Sequence, residues 1–387
     1  MNRSDIIASA RKVVIKVGSG VLTSAEGLDH RRVDVLAGQI SRLAQGGRQV
    51  VLVSSGAVAS GRAKAGLSRG PRTLPEKQAA AALGQAGLVQ AYEDAFDRHG
   101  RKVAQILLTA DDLIHRQRYE NARNTFYTLL DWDVIPIVNE NDSVSVAGLA
   151  LGDNDNLAAM LTNLLGAELM INLTNVDGVM DSDPRTNPQA KRLPLVEQVT
   201  AGLLRTTSSQ PGAMGMGGIF SKVRAADKVA RCGAYTIVAN GYLDDILDRL
   251  QANEDLGTLF LPRPMPLRSR KHWIAFTAAQ GGEVVVDEGA VRPLTEGGKS
   301  LLAAGVREVR GPFSAGDAVR VLGPGDCILG IGLTSYSSQE LEKVKGLRSD
   351  QIAGSAHSRE AAEVIHRDNL VVFGLEEEES VACLLNN

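Results

Sequence analysis

Short apolar runs that do not alternate with polar residues recur through the N-terminal part of this chain, and most of them end in small or polar residues. Val13-Val14-Ile15-Lys16-Val17 ends at Gly18-Ser19-Gly20, and Val50-Val51-Leu52-Val53 ends at Ser54-Ser55-Gly56. Val103 to Leu108 is a third run. Val134-Ile135-Pro136-Ile137-Val138 ends at Asn139-Glu140-Asn141-Asp142-Ser143, and Leu169-Met170-Ile171-Asn172-Leu173 at Thr174-Asn175-Val176-Asp177-Gly178. Tyr235 to Ala239, ending at Asn240-Gly241, reads as the last strand of the series. Runs of this kind are strands buried on both faces. Helical patterns lie between them: Asp29 to about Leu43, Pro75 to about His99, a stretch reaching Leu130, one starting at Leu157, and Ser221 to Arg231. The expected fold is α/β, an open and mainly parallel sheet sandwiched by helices. Such sheets bind ligands at the carboxyl ends of their strands, where these polar residues fall. Any single Gly or Ser there is ordinary turn chemistry; their joint position on one edge reads as an active-site rim.

The chain is long enough for two unequal domains, and its net charge of −3 gives no global attraction to nucleic acid or acidic lipid. Its 3 cysteines, Cys232, Cys327 and Cys383, lie far apart, and its 6 histidines are scattered, so no disulfide framework or zinc site is suggested. The N-terminus has no signal-like apolar region and no long uncharged apolar span follows, so the expected location is cytoplasmic, with no membrane partner. Leu261-Pro262-Arg263-Pro264-Met265-Pro266-Leu267 breaks the composition, and short strands with Gly turns follow it. The expected division is a first domain over 1–261, a linker over 262–270, a small β-rich, barrel-like domain over 271–373 and an acidic tail over 374–387.

Several groups stand out chemically. Lys16 lies inside an apolar strand, where an unpaired charge is costly. It either sits on an outward edge, pairs with a buried Asp, or meets a phosphate or carboxylate at the rim. Lys222 opens a helix after Gly212-Ala213-Met214-Gly215-Met216-Gly217-Gly218, a position that opposes the macrodipole and favours an anion nearby, with an exposed lysine as the bland alternative. Glycine loops expose backbone N–H groups to phosphate oxygens. Asp142, Asp153 and Asp155 are the acidic candidates; Asp153 also suits a helix cap and Asp177 a turn before Gly178. Lysines, glycine loops and few acids match what phosphoryl transfer requires.

Ile15-Lys16-Val17-Gly18-Ser19, Ser54-Ser55-Gly56-Ala57-Val58-Ala59-Ser60-Gly61-Arg62, Val138-Asn139-Glu140-Asn141-Asp142 and Gly152-Asp153-Asn154-Asp155-Asn156-Leu157 resemble segments of the glutamate 5-kinases of the amino acid kinase family. So do Asp183-Pro184-Arg185-Thr186-Asn187-Pro188 and Gly217-Gly218-Ile219-Phe220-Ser221-Lys222. The resemblance implies the amino acid kinase fold, transfer of the ATP γ-phosphoryl group to the L-glutamate side-chain carboxylate, and the first step of proline synthesis. It implies Lys16 and Lys222 at the phosphates, with Asp155 orienting them. Ser55, Asp142 and Asn154 would hold glutamate, the hydroxyl and amide facing its α-carboxylate and Asp142 its ammonium. Gly18, Ser19, Thr174, Asn175, Met216, Gly217, Gly218, Ile219, Phe220 and Ser221 would join the two lysines around the nucleotide. Mg2+ would be held mainly by ATP, with no protein metal site. L-proline as feedback inhibitor and a homo-oligomer are further implications.

The second domain, including Val286-Asp287-Glu288-Gly289-Ala290, resembles a PUA domain. Its expected role is structural or regulatory, with RNA binding the minority reading. The chain departs from the family pattern at Asn175, where Asp is common, and at Met216 and Ile219 in a loop that commonly reads T-G-G-M-x-T-K. Nucleotide affinity is the property these departures put at risk. A sibling kinase acting on aspartate, acetylglutamate or UMP, or an RNA-binding sensor, are the alternatives.

Overall fold

Alternation within one strand divides the N-terminal core. In β1 (Lys12–Val17), Val13, Ile15 and Val17 enter one buried cluster, and Val14 enters another on the opposite face. The computed structural model describes residues 3–24, 26–144, 154–183, 186–208, 218–263, 271, 273–274, 280–348, 351–352 and 363–373. The chain forms two compact units, Met1–Pro266 and Leu267–Asn387.

The first unit is built on an 8-stranded sheet. Its other strands are β2 (Gln49–Ser54), β3 (Lys102–Leu108), β4 (Val134–Glu140), β5 (Leu169–Thr174), β6 (Leu195–Val196), β7 (Tyr235–Asn240) and β8 (Thr258–Phe260), in the spatial order β3-β4-β2-β1-β5-β7-β8-β6. From β3 to β7 every neighbouring pair is parallel, so the carboxyl ends of β4, β2, β1, β5 and β7 share one edge. β8 runs antiparallel to β7, so Tyr235–Ala239 is not the last strand of the unit. β8 is too short to leave a periodic signal, and it starts just after Gly257, whose φ of +69° suits glycine. β3 is the edge strand and is half-exposed along most of its length, unlike the fully covered β5.

Helices cover both faces. α1 (His30–Ala44) and α3 (Leu74–Asp97) supply Leu36, Ile40, Leu88, Tyr92 and Phe96 to one cluster. α4 (Arg116–Asp131), α5 (Asn154–Leu165) and α6 (Ile219–Arg231) supply Phe126, Leu161 and Val229 to the other. Starts are written locally. Asp29 accepts from Arg32 N at 3.0 Å to cap α1, and Thr73 with Glu76 forms a capping box on α3. Between β2 and α3, α2 (Ala57–Lys64) packs on α3 through two glycines. A Cβ on Gly61 would lie 1.7 Å from the Ala80 carbonyl oxygen, and one on Gly84 2.0 Å from that of Ala57. Only glycine permits this approach.

In the second unit β9 (Gln280–Val286), β10 (Val306–Arg310), β11 (Ala318–Leu322), β12 (Ile328–Leu333) and β13 (Leu370–Val372) form a 5-stranded sheet in the order β10-β9-β11-β12-β13. Its own core contains Val284, Val286, Val319, Val321, Tyr336 and Leu341. Among the described residues no helix is long and apolar enough to cross a membrane.

Candidate active site

Register decides which side chains meet. Lys16 of β1 stands opposite Asn172 of β5 in the parallel ladder. By alternation Lys16 shares a face with Val14, and Asn172 shares it with Met170, both members of the cluster that α5 and α6 cover. Asp155 is in the first turn of α5, and Ser221 and Lys222 are in the first turn of α6. These helix starts therefore stand over the two strand residues.

The result is a buried constellation. Lys16 Nζ lies 2.5 Å from Asp155 Oδ1, and Lys222 Nζ lies 3.1 Å from Oδ2. Asn172 Nδ2 donates to Oδ1 at 2.8 Å, and the Ser221 hydroxyl is 2.7 Å from Oδ2. Lys16 and Lys222 are each 3% exposed, and Asp155 and Asn172 are fully buried. Burial opposes ionisation of Asp155, but Lys16 and Lys222, reinforced by the hydrogen bonds from Lys16 and Ser221, outweigh it and hold the carboxyl well below the ordinary carboxylate range. Lys16 pairs with a buried Asp, and β1 is a central strand, so the outward-edge reading of Lys16 is removed. Lys222 is likewise buried, which removes the exposed-lysine alternative. Its helix begins earlier than the pattern from Ser221 suggests, at Ile219, with Gly218 as N-cap.

A second group lies on the other face of the same edge. Asn139, in phase with Ile137 on β4, donates to Gln85 Oε1 of α3 at 2.8 Å. Asn139 Oδ1 accepts from Glu140 N at 2.9 Å, which fixes its amide orientation. Asn154 Nδ2 is 2.9 Å from Ser55 Oγ, 3.1 Å from Asn139 Oδ1 and 3.3 Å from the Ser54 carbonyl oxygen. That carbonyl requires a donor, so Nδ2 faces the protein and Oδ1 is left buried without a partner among the described residues. Ser55 Oγ accepts here, and its own hydrogen remains available. Asp142 is half-buried beyond β4, and burial raises its pKa. No hydrogen bond joins Asp142 to Ser55 or Asn154 among the described residues.

The remaining rim residues fall where the strand ends place them. Gly18 N donates to Leu173 O at 3.0 Å, and Ser19 is exposed beside it. Thr174 is buried, its hydroxyl 3.4 Å from Oδ1 of the exposed Asn175. Asp177 accepts from Asn240 Nδ2 at 2.8 Å, tying together the turns after β5 and β7, in keeping with a structural role. Gly218, Ile219 and Phe220 open α6. Gly152, Asp153, Met216 and Gly217 lie outside the described residues. Sequence reasoning gave no part to Asn172 or Gln85, and it placed Asn139 on the rim without assigning it a role. The signal for Asn172 was present: an amide inside an apolar strand, as conspicuous as Lys16 except for its charge.

The amino acid kinase family profile matches residues 11–240, and the PUA domain profile residues 282–355. A protein of Citrifermentans bemidjiense named glutamate 5-kinase is 48% identical over 372 residues, covering 96% of this chain and 100% of that protein. One of Syntrophotalea carbinolica with the same name is 45% identical over 370 residues, covering 96% of this chain and 99% of the relative. The chain therefore belongs to the glutamate 5-kinases of the amino acid kinase family, with a PUA domain following the kinase domain.

Proposed function

We infer that this chain transfers the γ-phosphoryl group of ATP to the side-chain carboxylate of L-glutamate, forming L-glutamyl 5-phosphate, the first step of proline biosynthesis. The observation that carries the chemistry is the convergence of Lys16 and Lys222 on Asp155 at the carboxyl edge of the sheet. Phosphoryl transfer needs in-line placement of the reactants and cations to spread the charge of the moving group. A carboxylate nucleophile is already ionised at neutral pH, so no general base is required. Lys16 and Lys222 meet the phosphate oxygens as charge develops, and Asp155 keeps the two ammonium groups side by side. Gly18, Ser19, Thr174, Asn175 and the start of α6 from Gly218 to Ser221 line the nucleotide side, with Met216 and Gly217 preceding them in sequence.

For the amino acid, Ser55 donates its free hydrogen to the α-carboxylate. Asn154 differs from the sequence expectation: with its amide N–H groups turned inward, the atom it offers is Oδ1, an acceptor suited to the ammonium together with Asp142. L-proline carries the same zwitterionic groups and would compete for them, which inhibition kinetics against glutamate would test. Magnesium would enter with the nucleotide and shield its phosphates. Asp155 does not fit a metal ligand here, because its two oxygens already accept from at least four donors.

The test is ADP release with L-glutamate, L-aspartate and UMP as acceptors. Glutamate-dependent release, with a product trapped by hydroxylamine, is expected; turnover with aspartate or UMP and none with glutamate would overturn the reading. A second reading, RNA binding by the C-terminal unit, is favoured by a cleft there lined by Lys271, Lys299 and Arg367. A gel shift that survives physiological salt would support it.

A further inference from the structure

Asn172 is a fully buried amide in the middle of a buried strand. Its Nδ2 donates to Asp155 Oδ1 at 2.8 Å, and its Oδ1 has no partner among the described residues. The orientation is set by chemistry: a carboxylate oxygen flanked by ammonium groups accepts and cannot donate, so the NH2 side must face it. Burying an amide with its acceptor unmatched is costly, and an apolar residue at this position would avoid that cost. Asn172 is therefore poorly explained by core packing.

We propose that Asn172 is a positioning residue for phosphoryl transfer, a neutral donor on a rigid central strand that fixes Asp155 so that Lys16 and Lys222 are held in register for the phosphates. The proposal rests on the kinase reading above and extends it. The donors on Oδ2, Ser221 and Lys222, come from one helix start; those on Oδ1 come from neighbouring strands in direct register. As the ammonium groups turn toward the phosphate oxygens in the transition state, Asp155 keeps a partner that does not move and carries no charge. A hydrogen bond to an ionised group has the strength for this task.

The experiment compares the full-length chain with Asn172→Leu and Asn172→Asp, following ADP release with glutamate across pH and recording thermal melts. Asn172→Leu removes the donor while keeping the branching of the side chain, though with bulkier methyl groups; kcat should fall about tenfold, with the KM for glutamate within about twofold. Asn172→Asp sets a second carboxyl beside Asp155. While protonated it donates as the amide does; once ionised it repels Asp155 and competes for the lysines. Its kcat should therefore fall as pH rises, along a limb absent from the unmodified chain. A pH profile for Asn172→Asp parallel to that of the unmodified chain would overturn the proposal, even if Asn172→Leu fails to fold. An unchanged kcat in a folded Asn172→Leu would do the same. Both results presuppose an unmodified chain active on glutamate; inactivity there overturns the kinase reading and this proposal with it.

Discussion

A fully buried carboxylate such as Asp155 is tolerable only because cations and donors surround it. Its folded pKa is depressed, so its contribution to stability is complete above the ordinary Asp value, about 4. The contribution is lost as pH falls below that value toward the depressed one. Asp155→Asn should cost roughly 3–5 kcal/mol near neutral pH, by leaving two buried ammonium groups facing an amide, and the deficit relative to the native chain should shrink in acid. Denaturant melts from neutral pH down to the acid limit check both the size and the sign. Ser55 stands apart from this centre, and the proposed role for its hydroxyl is to bind glutamate. Removing its hydrogen bond to a charged ligand should raise the glutamate KM of Ser55→Ala by about tenfold or more, with a smaller effect on kcat. Steady-state kinetics at saturating ATP would show it, and a change in kcat alone would contradict the assignment.

At the scale of elements, the site depends on helix starts aimed at strand ends, and the aim depends on packing well away from the chemistry. α2 follows Ser55-Gly56 directly, and it is seated on α3 by the glycine contacts at Gly61 and Gly84. Gly84→Ala would drive a methyl group into backbone and should destabilise the chain by about 1–3 kcal/mol or more, displacing the serine loop and weakening glutamate binding. A thermal melt with glutamate titration checks it; an unaltered melting point would show that the helices part without cost. α6 is fixed at its other end as well. Asp227 accepts from Arg231 Nε at 3.0 Å and from Arg263 Nη2 at 3.1 Å, so the chain approaching the end of the first unit is fastened to the helix that carries Lys222.

These elements also explain what sequence could and could not disclose. The parallel sheet and its polar rim were legible because buried strands leave long apolar runs, and Lys16 stood out because a charge inside such a run demands an explanation. Asn172 made the same kind of break, but an uncharged amide is easily taken for an ordinary polar residue, and its partner comes from a different element. The close approach of Gly61 and Gly84 depends on how two helices meet, which no local pattern encodes. β8 is only 3 residues long, below the length at which periodicity registers. The orientation of the Asn154 amide follows from three acceptors brought together by folding, and it could not be read from the residue type.

At the scale of the molecule, the lysine–aspartate centre and the described residues proposed to hold glutamate all lie in the first unit, and the second unit has a core of its own. A chain ending at Pro266 should therefore keep glutamate-dependent ADP release within about tenfold of the full chain; the energetic equivalent is about 1.4 kcal/mol of barrier. Complete loss in a folded truncation would assign the second unit a direct part in the site. The central claim, that two buried lysines act on the moving phosphoryl group, is tested most directly by kcat and KM for Lys222→Ala. The expected result is a fall in kcat of at least about a hundredfold with the glutamate KM changed by less than about threefold, because the contact strengthens in the transition state. A rise in KM with kcat unchanged would contradict it.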